Sequence, residues 1–213
     1  RDGVPVTYIT NSAEEEYNAN FKYKNFFINV NGFIHKTALQ RTMNGIYILN
    51  NSHGGASTDN TTDKILRYNA TELKKFSNWC EDRGTTLTWA QVPYKNEEGN
   101  SQLPNGLVDY SNNVADRFIK HVDNLGVDCI DLRESLKNDD EDFYSYFYKT
   151  EHHWNCFGGF VAFTDICNHM SKKYGDEIDT SVTNPNNYKV DTFSGIHSGH
   201  YGDLVGTIFL PPE

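Results

Sequence analysis

Residues 85–132 decide the fold, and they begin TTLTWAQVP (85–93) and end VDCIDL (127–132). The first segment is rich in β-branched and aromatic residues and stops at a proline, and both segments have the length of a short strand. Between them, apolar residues recur at helical spacing. A strand, a helix and a second strand at this spacing predict a crossover between parallel strands. The predicted fold class is α/β, an open, doubly wound parallel sheet flanked by helices.

Two amphipathic helices accompany these strands. The first is predicted over 71–83 and the second over 109–125. Asn69 is a suitable N-cap for the first helix, Glu72 completes a capping-box pattern, and Gly84 stands where helices commonly end. The predicted buried faces are Leu73, Phe76, Trp79 and Cys80 in the first helix and Val114, Phe118, Val122 and Leu125 in the second.

The rest of the chain fits one domain without an internal repeat or a linker. Residues 1–25 are polar and uneven and are interpreted as a lead-in segment, which leaves 26–213 as the α/β domain. The other predicted elements are a helix over 26–43, a strand over 45–49, a loop over 51–63, a helix over 157–173 and, over 175–213, a loop with one short strand.

The charge and hydropathy of the chain limit the classes of partner that we expect. The net charge of −10 and the pI of about 5.2 disfavour nucleic acid or an anionic membrane as a partner, because both require a basic face. No apolar run approaches the roughly 18 residues of a membrane span. The chain starts at Arg1 and shows no signal-peptide pattern, so we expect a processed or trimmed piece whose export signal or anchor is not visible.

The stretch YKTEHHWN (148–155) carries the densest chemistry. In an extended or turned backbone, positions i and i+2 project the same way, so Glu151 can accept a hydrogen bond from one ring nitrogen of His153. That bond would fix the tautomer and leave the other nitrogen free to act as a base. In a helix the two side chains would diverge and the pair would fail. The alternative is a partly buried histidine that holds a loop in place.

This stretch, followed by Gly158-Gly159 and an aromatic residue, resembles the bacterial DHHW proteins. These are relatives of the alginate O-acetyltransferases, whose corresponding motif is Asp-x-His-Trp. VPYK (92–95) and QLP (102–104) resemble the family's VPxK…LP segment, and 45–50 and 127–132 resemble two of its strands. The resemblance covers about residues 26–210.

The resemblance implies an SGNH-hydrolase-like fold whose Ser-His-acid triad is permuted, with the acid and histidine before the serine. Glu151 stands at the acid position, where the family usually has Asp, and His153 stands at the histidine position. His152, Trp154 and Lys95 are then expected to contact substrate. The implied function is an exported O-acetyltransferase or acetylesterase, extracellular or in the cell envelope, with a glycan substrate and an acyl donor as partners and no cofactor or metal.

The nucleophile is missing from the expected place. No serine after residue 154 follows a β-rich run, and Gly202-Asp203 is followed by Leu204 instead of serine. Ser194 and Ser198 lie in a glycine-rich stretch and are interpreted as turn residues. We therefore expect a domain that is incomplete at its C-terminal end, or a homologue that has lost the serine.

Two other functions stay open. A non-catalytic glycan-binding or scaffolding domain would use tyrosine and tryptophan rings to stack on sugars. A metal site would combine Glu151, His152 and His153 with the His197-x-x-His200 pair. Adjacent histidines rarely bind one ion, and a His pair in a glycine-rich loop is a weaker signal than one on a helix.

Overall fold

The structure is a computed structural model that describes residues 16, 20–99, 102–137, 141–175, 179–191 and 199–213. Most of the predicted lead-in segment lies outside the described residues. The helices are α1 (Lys24–Thr37), α2 (Asp63–Glu81), α3 (Ser111–Asn124), α4 (Leu132–Lys137), α5 (Cys156–Tyr174) and α6 (His200–Phe209). The strands are β1 (Thr42–Met43), β2 (Ile46–Ile48), β3 (Gly54–Ala56), β4 (Thr88–Gln91) and β5 (Asp128–Asp131).

The predicted parallel pair is present. β4 and β5 run parallel in the register Thr88↔Asp128 to Gln91↔Asp131, and α3 connects them. This pairing confirms the α/β class. The parallel sheet has only two strands in the described residues, which is smaller than a doubly wound sheet, because the strand predicted over 45–49 pairs elsewhere.

That strand, β2, is the centre of a separate antiparallel sheet in the order β1-β2-β3. Asn44 and Gly45 join β1 to β2 and both have positive φ (51° and 78°), as a two-residue hairpin turn requires. The prediction of a helix through 43 was therefore wrong at its end. The predicted loop over 51–63 contains β3, where a Cβ on Gly55 would lie 2.4 Å from the Tyr47 ring. Glycine is needed there for close packing. A prediction from composition alone treats the same glycine as a sign of a loop.

Helix α2 begins at Asp63, six residues before the predicted N-cap. Asn69 lies inside the helix on an exposed face, since the apolar period already starts at Leu66 and Ala70. The predicted buried face was partly wrong as well. Phe76 and Trp79 are each 51% exposed and stack on one another at the surface. The two other central helices, α3 and α5, lie within two residues of their predicted bounds.

Helix α6 replaces the loop predicted near the C-terminal end. Its buried residues Tyr201, Val205 and Phe209 follow helical spacing. The glycines of this segment mask that pattern, and one of them, Gly206, breaks the helical geometry with φ 76°. α6 packs on α1 at Gly32, where a Cβ would lie 3.0 Å from the Val205 carbonyl oxygen.

The aromatic run before the EHHW stretch belongs to the core. Phe143, Tyr144, Tyr146 and Phe147 are buried together with Tyr47 of β2 and with Leu49, which directly follows that strand. Short 3-10 turns cover Phe143–Tyr146, Thr180–Thr183 and Pro185–Asn187. The core therefore anchors the chain directly before the candidate site. Among the described residues, no helix combines the length and the apolar character needed to cross a bilayer.

Candidate active site

Residues 147–154 form a loop that is closed at its neck. Phe147 and Trp154 make an antiparallel bridge, and the Tyr148 N–H donates to the His153 carbonyl at 3.3 Å. Asn155 then caps α5, because its side-chain oxygen accepts from the N–H groups of Phe157 and Gly158. The loop is not helical, so Glu151 and His153 can project to the same side, as the spacing predicts.

The carboxylate of Glu151 is held by backbone donors. The N–H of His152 donates to Oε1 and the N–H of His200, at the start of α6, donates to Oε2, both at 2.8 Å. Burial opposes ionisation of this carboxyl group, but the two N–H groups and the nearby imidazoles outweigh burial and lower the pKa of Glu151. Glu151 is therefore a fixed anion beneath the two histidines.

Both imidazoles face this one carboxylate. The His152 Nδ1 is in direct contact with Glu151 Oε1, and the His153 Nδ1 lies 3.5 Å from the same oxygen. The rings stack with centroids 3.8 Å apart, and the side chains are 50% and 66% exposed. A ring whose Nδ1–H points at a carboxylate keeps its Nε2 available for proton transfer. The spacing of Glu151 and His153 predicts the approach of these two side chains, but it does not predict the closer contact of His152.

A cavity of about 430 Å³ opens beside these rings. Residues 92–96, directly after β4, form one wall, and residues 55–58, from the end of β3 onward, form another. This is the carboxyl end of a parallel strand, where ligands bind in open α/β sheets. The lining also includes Ser111, His152, His153, Trp154 and Tyr201.

Trp154 lines this cavity and also packs into the protein. It takes part in the bridge at the loop neck, and its indole lies against the core cluster that contains the aromatic run. Gly159 lies next to the ring, since a Cβ there would be 3.7 Å from its Nε1. Packing is the role that the contacts of Trp154 support, and substrate contact stays a prediction.

Lys95 also lines the cavity, but its ammonium group turns to the loop. The residue is 7% exposed, and its Nζ donates to the carbonyl oxygens of Tyr148, Lys149 and Glu151 at 2.5, 3.1 and 2.8 Å. Burial lowers the pKa of Lys95 to about 7, although the carboxylates of Glu213 and Glu151 favour the charged form. The predicted substrate contact of Lys95 stays a prediction, and the observed contacts are all within the protein.

Residues 53–212 match the family model for the SGNH hydrolase-like domain of the acetyltransferase AlgX. The chain belongs to this family. The match covers β3 through α6, and so it includes the whole EHHW loop and the cavity wall. The predicted kinship with O-acetyltransferases of this type is confirmed, while the narrower DHHW assignment stays a prediction.

Solved structures share the fold of this AlgX-family chain at low sequence identity. The O-acetyltransferase domain of Pseudomonas putida AlgJ is 13% identical, with a TM-score of 0.62 over 79% of this chain and 62% of that one. Bacillus cereus PatB1 is 20% identical, with a TM-score of 0.54 over 64% and 46%, and PatB1 with a sulfonyl adduct is 21% identical, with 0.56 over 67% and 49%. The chain thus spans about half the length of the PatB1 chains. No curated protein matches it.

Two features of this AlgX-family site were not found from the sequence. Thr150 is fully buried and ties α6 to the loop, because its Oγ1 accepts from the Gly199 N–H at 2.8 Å and its carbonyl accepts from the Tyr201 N–H at 3.0 Å. Ser57 lines the cavity just after β3, whereas the search for a nucleophile covered only the sequence after residue 154. Ser194 and Ser198 lie outside the described residues.

The side chains of the acid–histidine cluster could also bind a metal ion. Glu151, His152 and His153 offer ligand atoms that lie within 4.8 Å of one another. His200 is near, with its ring centroid 6.2 Å from that of His152, but His197 lies outside the described residues. Two nitrogens and one oxygen suit zinc. Elemental analysis of the purified protein tests this hypothesis.

Proposed function

We propose that this chain carries the acid and histidine of a serine O-acetyltransferase or acetylesterase that acts on a cell-surface or secreted glycan. The observation that carries the proposal is the Glu151 carboxylate beneath two exposed imidazoles at the cavity. Membership of the AlgX family supports acyl transfer as the reaction. The fold likeness to an O-acetyltransferase domain is consistent with it.

In the proposed mechanism, His153 takes the proton of a serine hydroxyl as the serine attacks the acetyl carbonyl of the donor. The donor's leaving group departs with that proton, and an acetyl-serine ester remains. His153 then removes a proton from a glycan hydroxyl, or from water, which attacks the ester. The serine oxygen leaves and takes that proton from His153, and the acetyl group remains on the glycan or departs as acetate. Glu151 stabilises the imidazolium that forms at each step, since its anionic state is already fixed by backbone N–H groups.

Labelling with a sulfonyl fluoride tests this proposal, because the reagent reacts with an activated serine. Peptide mapping would locate the label in this chain or in a longer form of the same protein. We expect one serine to be labelled, and labelling to fall about 100-fold or more in His153→Ala and clearly in Glu151→Gln. Labelling that is insensitive to both substitutions would contradict the proposal.

The 213-residue chain by itself is expected to hydrolyse acetyl esters negligibly, because no serine after residue 154 follows a β-rich run in the sequence. Ser57 and Ser111 are the serines on the cavity lining and provide the check. Turnover of p-nitrophenyl acetate that is abolished by Ser57→Ala would place the nucleophile within this chain. Ser111→Ala serves as the comparison, since the Ser111 hydroxyl already contacts Asp109.

A second candidate function is glycan binding without catalysis. The stacked pair Phe76 and Trp79 offers exposed aromatic surface, and the Arg83 guanidinium lies 4.0 Å from the Trp79 ring centroid. Aromatic faces of this kind stack on sugar rings. Titration with acetylated and deacetylated glycans separates the two functions, because binding lost in Trp79→Ala and kept in His153→Ala favours the non-catalytic one.

The location we propose is extracellular or in the cell envelope. A glycan substrate and the acidic surface charge are consistent with that location. Fractionation of the native cells, with detection of the protein in the culture medium or envelope fraction, tests it. Recovery only with the cytoplasmic marker enzymes would contradict it.

A further inference from the structure

We propose that Lys95 is a positioning residue, the internal cation that holds the 147–154 loop in the shape that presents Glu151 and the two histidines to the cavity. This inference rests on the proposed function for its catalytic consequence. It replaces direct substrate contact as the role of Lys95.

The donors and acceptors match in number. In its ammonium form, which prevails below the pKa of about 7, Lys95 has three N–H donors. The carbonyl oxygens of Tyr148, Lys149 and Glu151 all lie within 3.1 Å of its Nζ. The residue is 7% exposed, so water does not compete strongly for these donors. With all three donors engaged by the loop backbone, Lys95 has none left for a substrate.

The loop needs a cation at this point because of its shape. The bridge between Phe147 and Trp154 closes the loop, and three of its carbonyl groups converge on one buried position. Carbonyl oxygens that face each other without a donor repel, and burying them unpaired is costly.

The sequence supplies Lys95 from a rigid support. The residue follows β4 by four positions, after the proline that stops the strand. Its neighbour Asn96 is buried and donates to the Tyr47 hydroxyl at 3.1 Å, and the Asn96 carbonyl accepts from Asn112 at 2.7 Å. The Lys95 backbone is thus fixed to β2 and to α3, and the side chain carries that fixed position into the loop.

Loss of the cation should therefore reach Glu151. The Glu151 carbonyl is one of the three acceptors, and the Glu151 carboxylate receives N–H donors from His152 and His200 on either side. When the backbone of residues 148–151 relaxes, the carboxylate leaves the position beneath the imidazoles. We expect substrate recognition elsewhere in the cavity to stay unaffected, so that the loss falls on the chemical step.

The first experiment compares Lys95→Met with Lys75→Met in the full chain. Lys75 is an exposed lysine on α2, far from the loop in sequence, and serves as the matched control. We expect amide hydrogen exchange in residues 148–154 to accelerate about tenfold or more in Lys95→Met and to stay unchanged in the control. Unchanged exchange in Lys95→Met overturns the inference, and this readout does not depend on any enzymatic activity.

The second experiment measures kinetics in a form of the protein that turns over an acetyl donor. We expect kcat of Lys95→Met to fall about 10- to 100-fold while KM changes less than about threefold. A raised KM with unchanged kcat overturns the inference in favour of substrate contact. If no form of the protein shows acyl transfer, the proposed function fails, and hydrogen exchange still decides the role of Lys95.

Chemical rescue guards against a variant that folds poorly. Lys95→Ala removes the part of the side chain that n-propylammonium can replace. We expect n-propylammonium, but not 1-propanol, to restore protection of residues 148–154 and to raise the thermal midpoint of the variant. Equal effects of the charged and the neutral compound overturn the inference, because they show that filling space is sufficient.

Discussion

Among the described residues, Asp128 and Glu151 both contact histidines, and of these histidines only the two beside Glu151 line the cavity next to the 147–154 loop. Asp128 lies 2.8 Å from His169 Nε2 and accepts from the hydroxyls of Thr88 and Tyr174 at 2.6 Å, with Lys173 in contact as well. Burial raises its pKa, but these four partners outweigh burial and hold the pKa well below its ordinary value. Glu151 also has a lowered pKa, yet its partners are backbone N–H groups and two exposed imidazoles.

The difference shows what an acid–histidine pair needs in order to be a candidate for catalysis. Asp128 on β5 and its partners on β4 and α5 join the parallel strands to the last long helix, and His169 is 22% exposed. Every partner of Asp128 serves packing between these elements. At Glu151 the imidazoles are 50% and 66% exposed and line the cavity. An open imidazole edge beside a cavity, and not the pair itself, identifies the site.

The largest expected effect is a difference in activity between variants of His153 and of His169. His153→Ala should lower kcat/KM about 10³-fold or more, because it removes the general base, whereas His169→Ala should change it less than about threefold per folded molecule. Initial rates in a form of the protein that turns over an acetyl donor check this. Similar losses in both variants would mean that the comparison does not distinguish a catalytic pair from a structural one.

The second effect concerns the free energy of unfolding, which should fall more in a variant of Asp128 than in a variant of Glu151. Asp128→Asn should lower the free energy of unfolding by about 3 kcal/mol, since it leaves Lys173 and His169 without their buried anion. Glu151→Gln should cost about 1 kcal/mol, because the amide oxygen can still accept one backbone N–H. Urea unfolding of the two variants beside the wild type measures both values. A larger loss in Glu151→Gln would reverse the assignment of structural and functional roles.

The dependence of stability on acid pH should also show the structural role of Asp128. The pKa of Asp128 is lowered in the folded state, so its stabilisation is present above the ordinary value of 3.8 and is lost as the pH falls below it. One extra proton taken up on unfolding corresponds to a slope of about 1.4 kcal/mol per pH unit. We expect the wild type to lose stability more steeply below pH 4 than Asp128→Asn does. Parallel curves would show that Asp128 does not control acid unfolding.

The sequence predicted those parts of the fold that depend on local pattern. β4, α3, β5 and α5 were found because their apolar periods and flanking residues agree. β3 and α6 were missed, since their glycines serve tight packing against Tyr47 and against α1 and not loop formation. In the site, the i, i+2 relation of Glu151 and His153 is local and was foreseen. The contacts of Lys95 could not be predicted from the sequence, because they join residues more than 50 positions apart.

The smallest expected effect concerns the histidine that lies nearer to Glu151. His152 contacts the carboxylate directly and stacks on His153, with its other side near Tyr201, at a ring separation of 5.8 Å. Because His152 supports the ring of His153 in this arrangement, we expect His152→Ala to lower kcat/KM about tenfold or less, by allowing His153 to tilt and not by removing the base.

The two histidine variants together decide which imidazole is the base. Rates that fall further in His152→Ala than in His153→Ala would assign the base to His152. In that case the direct contact with Glu151, and not the spacing of two residues, would define the catalytic pair.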